Sequence, residues 1–234
     1  MTSEDRQETA DFSVVIPAAG SGSRIGGTRK QFRKLGRYNP LLHCVRAFAV
    51  HPRIADIIVV GPEKDLSEIE FFLSDIANYI RVVAGGSSRQ ESVFNGLSAE
   101  GLLDYVLIHD AVRPFVDDAL LGRVMAATVE HGAAAPAIPV YDSVRRGDDD
   151  TFGRPIPREG LFRVQTPQGF HKEVIVSAHK KAREDGWEGT DDVSLVSRFG
   201  RPVYKVDGSG WNLKITAPDD WEMAEALWSY WEQR

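Results

Sequence analysis

A short apolar run, Ser13-Val14-Val15-Ile16, breaks abruptly into Pro17-Ala18-Ala19-Gly20-Ser21-Gly22-Ser23-Arg24-Ile25-Gly26-Gly27-Thr28-Arg29-Lys30-Gln31-Phe32. Glycines after a strand let backbone N–H groups approach a ligand closely, and successive N–H groups in such a turn form an anion-binding concavity. Arg24 and Lys30 add full charges to that cradle. The stretch reads as a triphosphate-binding loop after the first strand of an α/β domain. It is not a P-loop, because none of its glycines directly precedes a lysine. Nor is it a dinucleotide fingerprint: Ile25 stands where the third glycine or alanine belongs, and Leu41-Leu42-His43-Cys44 where an acid is wanted. The competing reading is a Gly/Ser loop with incidental cations.

The same punctuation recurs along the chain. Asn39-Pro40 opens a helix with Leu42, Val45, Phe48 and Ala49 at helical spacing, ended by Pro52. A second strand is expected over 56–61, then a helix marked by Leu66, Ile69, Leu73 and Ile76. A third strand over 81–84 runs into Gly85-Gly86-Ser87-Ser88, and Val93 and Leu97 face inward on the helix after it. The fourth strand, 105–108, ends in His109-Asp110-Ala111-Val112-Arg113-Pro114. Asp117 opens a helix with Leu120, Leu121, Val124 and Met125 inside, and a fifth strand covers about 134–140. Such alternation implies an α/β fold, a doubly wound and mostly parallel sheet with helices on both faces. Ligands bind beyond the carboxyl ends of the strands in such sheets. The glycine loop, Gly85-Gly86 and His109-Asp110 all fall there.

The pattern changes at about 141–163, where Pro155 and Pro157 exclude helix and Asp148-Asp149-Asp150 marks a turn. We expect a two-stranded arm leaving the sheet. A lone hairpin is marginal in water, so the arm is expected to pack on a second subunit. A helix is expected over 172–184, a cap with first-turn acids at Thr190-Asp191-Asp192, and strands at 203–206 and at Asn212-Leu213-Lys214-Ile215-Thr216. Pro218 opens a last helix burying Trp221, Ala224 and Trp228. Residues 1–11 are polar and read as a disordered tail, with 12–234 forming a single domain that includes the arm.

The formal charge of -6 argues against nucleic-acid binding, though not against small anions. Cys44 is the single cysteine, so neither an intrachain disulfide nor a cysteine metal cluster can form. A reducing compartment fits. The start lacks the apolar core of a signal peptide, and no apolar stretch reaches membrane-spanning length. A cytoplasmic protein without a membrane partner is expected.

Taken in order, Pro17-Ala18-Ala19-Gly20-Ser21-Gly22-Ser23-Arg24, Lys30-Gln31-Phe32, His109-Asp110-Ala111-Val112-Arg113-Pro114, Thr166-Pro167-Gln168-Gly169-Phe170, Thr190-Asp191-Asp192 and Asn212-Leu213-Lys214-Ile215-Thr216 resemble the 2-C-methyl-D-erythritol 4-phosphate cytidylyltransferase family over nearly the whole chain. The resemblance implies a Rossmann-like fold of nucleotide-diphospho-sugar transferase type. It also implies transfer of a cytidylyl group from CTP to a polyol phosphate with Mg²⁺ or another divalent cation, and a homodimer through the arm. On this resemblance Arg24 and Lys30 stabilise the transition state, while Arg158 and Lys214 position the acceptor phosphate. Ala18, Ala19, Gly20, Gly22, Gly86, Ser92, Asp110 and Ala111 match positions for CTP or its metal, with Asp110 meeting the metal directly or through water. Arg113, Ser143, Thr166 and Thr190 match acceptor-site positions, some of them reaching across the dimer. The chain departs from the pattern at Ile25, usually Met, at Arg29, usually Pro, and at Ser143, usually Thr.

The chemistry suits these residue types. A phosphate monoester has a second pKa of about 6, so its oxygen needs no general base. The barrier is bringing it to an anionic triphosphate. Two unit charges about 4 Å apart interact by about 4 kcal/mol at an effective dielectric near 20, so one cation cannot offset the repulsion and several, with a metal, can. Two other readings stay open: a related enzyme acting on ribitol 5-phosphate or another alditol phosphate, and a nucleotide-binding regulatory module without catalysis.

Overall fold

A computed structural model describes residues 10–20 and 29–233. Gly22, Arg24 and residues 1–9 of the polar start lie outside the described residues. In chain order the elements are β1 (Phe12–Pro17), α1 (Pro40–Ala49), β2 (Ile54–Gly61), α2 (Leu66–Leu73), β3 (Ile80–Ala84), α3 (Arg89–Leu97), β4 (Tyr105–Ile108), α4 (Asp118–His131), β5 (Ala133–Pro139), β6 (Val144–Gly147), β7 (Phe152–Ile156), β8 (Phe162–Val164), β9 (Gln168–His171), α5 (Lys172–Glu184), α6 (Asp192–Arg198), β10 (Tyr204–Asp207) and α7 (Pro218–Trp231).

The central strands are apolar throughout because both faces are covered. Phe12, Val14, Ile16, Ile57, Val59 and Leu107 pack with α1, α2 and α4, through Phe48, Leu73, Leu120 and Val124 among others. Their neighbours Val15, Ile58, Val60, Val106 and Ile108 pack the other way, against α3, α5 and α6 through Val93, Ile175 and Leu195. This alternation with no exposed face is the mark of a doubly covered sheet. Burying one such side chain contributes roughly 1.5–3 kcal/mol.

The main sheet runs β10-β5-β9-β4-β1-β2-β3, with β8 pairing β5. β1 pairs in parallel with both β2 and β4, so the strand order reverses beside it. That reversal opens a crevice at the carboxyl ends of the strands. β9 was not expected as a strand. It enters antiparallel between β4 and β5 and makes the sheet mixed. Its Gly169 is required there, since a Cβ would lie 2.0 Å from Oγ1 of Thr128 on α4.

The expected two-stranded hairpin is present. β6 and β7 make a separate two-stranded antiparallel sheet, and Asp148 accepts from the Asp150 and Thr151 N–H groups at its tip. Tyr141 and Phe152 near it are largely exposed, at 72% and 88%. The expected strand at 212–216 does not form. Ile215 N–H donates to the Val112 carbonyl, but no ladder follows, and the segment is irregular chain entered by a turn in which Asn212 N–H donates to the Ser209 carbonyl. It is fixed instead by Ile215 in a small apolar cluster with Leu35, Phe115, Trp221 and Ala224. Trp228 is only partly buried, and its ring lies 3.7 Å from that of His43. None of the described helices is long and apolar enough to cross a membrane.

Candidate active site

Three strand ends build a cavity of about 420 Å³, the size of a small-ligand site. β1 delivers Ala18, Ala19, Gly20 and, past the glycine loop, Lys30. The turn from β3 into α3 delivers Gly86, Ser88, Arg89 and Ser92; β4 delivers Asp110 and Ala111, and Lys214 closes the wall. Lys30 and Lys214, from opposite ends of the chain, line the same cavity as the glycines.

The start of the loop is held by a buried side chain. The Gln31 amide donates to the carbonyls of Ala18 and Gly20, at 2.7 and 2.8 Å. Arg29 does not join the cavity; its guanidinium pairs with Asp65 at 2.6 Å and anchors the far side of the loop. At the second turn, Gly85 N–H donates to the Gly61 carbonyl, and a Cβ on Gly85 would meet the Ala19 Cβ at 2.4 Å. Gly86 N–H donates to the Ser92 hydroxyl, which itself donates to the Ser88 carbonyl. Ser92 is thus buried and shapes the turn. Ser88 caps α3 by accepting from Glu91 N–H, and the positive end of that helix faces the cavity with Arg89.

Asp110 is the electrostatic centre. Its Oδ1 lies 3.0 Å from Arg89 Nε, and its Oδ2 lies 2.8 Å from Lys214 Nζ and 3.7 Å from Arg113 Nε. Burial alone would raise its pKa, but these three cations outweigh burial and hold it well below the usual carboxylate range. Behind it, Arg113 is 8% exposed and donates to the Asn212 carbonyl at 2.8 Å. Burial lowers its pKa, and Asp110 works against that shift. Asn212 in turn donates its amide to the Thr166 carbonyl, so it fixes the segment that carries Lys214.

His109 is structural. Its Nε2 faces the Arg113 carbonyl at 3.0 Å and must carry the proton, so Nδ1 accepts from the Thr166 hydroxyl at 3.2 Å. Thr166 Oγ1 is then free to accept from Asp110 N–H at 3.1 Å. Burial pushes the His109 pKa down to about 4, which keeps the imidazole neutral. Cys44 is equally enclosed; burial pushes its thiol pKa up, and it donates weakly to the Arg113 carbonyl.

A buried relay extends from Asp110 away from the cavity. Arg89 uses Nε for Asp110 and a terminal nitrogen for Asp192, at 2.8 Å, and Asp192 also meets His179 Nε2 at 2.9 Å. Asp192 and His179 are almost fully buried. Burial would lower the pKa of Arg89, but Asp192 and Asp110 more than reverse that. Burial would raise that of Asp192, but Arg89 and His179 lower it. Gln31, Arg89, His179 and Asn212 are assigned no role from the sequence, and Asp192 only that of a first-turn acid; Gln31, Asp192 and Asn212 lie inside the motifs that carry the resemblance, and Arg89 follows the second glycine turn.

Several expected residues stand elsewhere. Thr190 is exposed and is not the helix cap; Asp191 caps α6, accepting from Ser194 N–H in a capping box. Ser143 and Arg158 are exposed near the arm, and Arg158 donates to the Tyr141 carbonyl. Arg113 and Thr166 sit behind Asp110, not on the cavity wall. Among the described residues no three His, Cys, Asp or Glu side chains gather to hold a metal. A divalent cation here would take Asp110 as its protein ligand and oxygens of a bound phosphate for the rest, a donor set that suits Mg²⁺. With Lys30, Arg89 and Lys214 against one carboxylate, the cavity favours a polyanion.

The model of the 2-C-methyl-D-erythritol 4-phosphate cytidylyltransferase family matches residues 12–229. A protein of that name from Salinibacter ruber is 43% identical over 223 residues, 94% of each chain. The crystal structure of 2-C-methyl-D-erythritol 4-phosphate cytidylyltransferase from Thermus thermophilus superposes with a TM-score of 0.79 at 36% identity, covering 94% of this chain and 99% of that one. A 4-diphosphocytidyl-2C-methyl-D-erythritol synthase from Anaerococcus prevotii gives 0.83 at 29% identity, over 96% and 99%.

Proposed function

Since the chain belongs to the 2-C-methyl-D-erythritol 4-phosphate cytidylyltransferase family, we propose how its side chains divide the work of that reaction. The protein is a nucleotidyltransferase of isoprenoid biosynthesis. It joins CTP to 2-C-methyl-D-erythritol 4-phosphate and yields 4-diphosphocytidyl-2-C-methyl-D-erythritol and pyrophosphate. The other acceptor and the non-catalytic module are not favoured. The observation that carries the division of roles is the meeting of Lys30 and Lys214 across Asp110 and the glycine turns.

An acceptor phosphate oxygen forms a bond to the α-phosphorus of CTP, and the bond from that phosphorus to the bridging oxygen of the β-phosphate breaks. No proton need be removed first. The backbone from Ala18 to Gly20, with Gly22, Gly86, Ser92 and Ala111, holds CTP. Lys30, with Arg24, meets the charge that builds on the α-phosphate and leaving pyrophosphate. Lys214 orients the acceptor phosphate. Arg113 and Thr166 fix Asp110 from behind and act on the acceptor through it, while Ser143 and Thr190 border the acceptor, in part across the dimer. Mg²⁺ on Asp110, directly or through water, would neutralise triphosphate charge and replace the lysine charge that Asp110 now holds.

Arg158, on the exposed base of the arm, acts at the acceptor site of a second copy. The exposure of Tyr141 and Phe152 beside the arm supports a homodimer joined there, which would cover both rings. The protein works in the cytoplasm. Arg158→Ala is expected to lower kcat at least ~100-fold and raise the acceptor KM at least ~10-fold, while the KM for CTP stays within about twofold. Steady-state kinetics with each substrate varied checks this. Chelation with EDTA is expected to abolish turnover, and Mg²⁺ to restore it. The overall reading is tested by pyrophosphate release from CTP. Release that needs neither the methylerythritol phosphate nor Mg²⁺, or equal release with ribitol 5-phosphate, would overturn it.

A further inference from the structure

We propose that Arg163, on the strand returning from the arm, is a further binding residue for the acceptor phosphate. This rests on the activity above and adds a residue that reading does not use. β8 pairs antiparallel with β5, Arg163 opposite Ile138, and the pairing continues as Gln165 N–H donates to the Pro136 carbonyl. Side chains alternate along an extended chain, so Arg163 and Gln165 leave one face together. On that face the Gln165 amide donates to the Ser209 carbonyl at 2.8 Å and reaches the Asn212 carbonyl at 3.4 Å. The Asn212 carbonyl also accepts from Arg113. Arg113 and Gln165 therefore hold one short segment, the segment that carries Lys214, and Arg163 leaves β8 on the face that Gln165 turns toward it.

The local charges do not balance. The ion pairs of Arg113 and Lys214 both end on Asp110, which Arg89 also claims. Arg163 stands close enough to add to this excess: after burial, the charges of Arg89 and Arg163 disfavour the protonated Arg113, against the pull of Asp110. Asp110, with the Asp192 that also pairs Arg89, thus serves three cations, and a fourth stands beside them. A phosphate monoester carries nearly two negative charges at neutral pH, and set among these groups it turns their repulsion into attraction. The Arg163 side chain is exposed, and its planar fork suits two phosphate oxygens.

The test compares Arg163→Ala, Arg163→Lys and Arg163→Glu by steady-state kinetics, with thermal unfolding as a check on folding. The alanine variant should raise the acceptor KM about 10-fold and leave the KM for CTP within about twofold. The lysine variant should recover most of the loss, and the glutamate variant should exceed it. Inorganic phosphate competing with the acceptor should inhibit the alanine variant more weakly than the wild type. An acceptor KM within about twofold of wild type in both the alanine and glutamate variants overturns the proposal, as do equal changes for both substrates. If the wild type itself fails to turn over with the methylerythritol phosphate, the assigned activity falls and this role falls with it.

Discussion

Lys30→Ala is expected to lower kcat by about 100- to 1000-fold while the KM for CTP changes by no more than a few-fold. Removing one preorganised group that meets developing charge typically costs this much, whereas CTP keeps its backbone cradle and Arg89. Lys30 sits just past the glycine loop, beside Gln31, whose amide ties the loop's first turn. Its position is therefore built before substrate arrives, and the energy of that placement is available in the transition state. Lys30→Arg should recover part of the rate, because charge returns with altered reach. Steady-state kinetics and calorimetric titration of CTP with Mg²⁺ separate the two quantities. Matching small changes in kcat and CTP affinity would mean that Lys30 binds ground and transition states alike.

The second large effect is on stability. Asp192→Ala should destabilise the protein by about 3 kcal/mol, the cost of leaving a buried charge unpaired. In a chain of this size that lowers Tm by about 10 °C. The figure sits at the low end because Arg89 keeps Asp110, and 31% of its side chain is exposed. Asp192→Asn, which preserves shape, should lose less. The effect depends on pH in a definite direction. The folded-state pKa of Asp192 is depressed, so its contribution is present above its unfolded value of about 4 and is lost as pH falls toward the folded one. Wild type and variant should therefore converge in urea unfolding below about pH 4. A constant difference at all pH values would place the effect in packing, not in the ion pair.

Much of the fold could be read from periodicity and caps. Asp117 with Leu120, Leu121, Val124 and Met125 gave α4 its inner face, and the runs at β1 and β4 gave two of the strands that carry the site. What stayed hidden is tertiary. Gln168-Gly169-Phe170 does not look like a central strand, with an amide and a glycine inside it. The Gln168 amide is satisfied by Asp191 and the Val193 N–H, and Gly169 admits the helix crossing above. Asn212-Leu213-Lys214-Ile215-Thr216 has strand-like alternation but lies with its one ladder-like bond to Val112. At Thr190-Asp191-Asp192 three neighbouring residues could all cap a helix, and only packing assigns the cap to Asp191 and a buried ion pair to Asp192. Arg89 and Asp192 each look like ordinary solvated charges; their partners are supplied by distant parts of the chain.

The placement of β9 between β4 and β5, with β10 on the other side of β5, has a consequence for how the polypeptide can be divided. A break at the exposed arm tip, Asp148 to Asp150, leaves an amino-terminal piece with a strand-wide slot in its sheet. The carboxy-terminal piece carries the strand that fills the slot, together with Lys214. Neither piece completes the cavity alone, yet each is shaped for the other, since exposed tips tolerate nicking. The arm tip is thus a natural seam for a split protein, whose turnover would report the encounter of two separately produced halves.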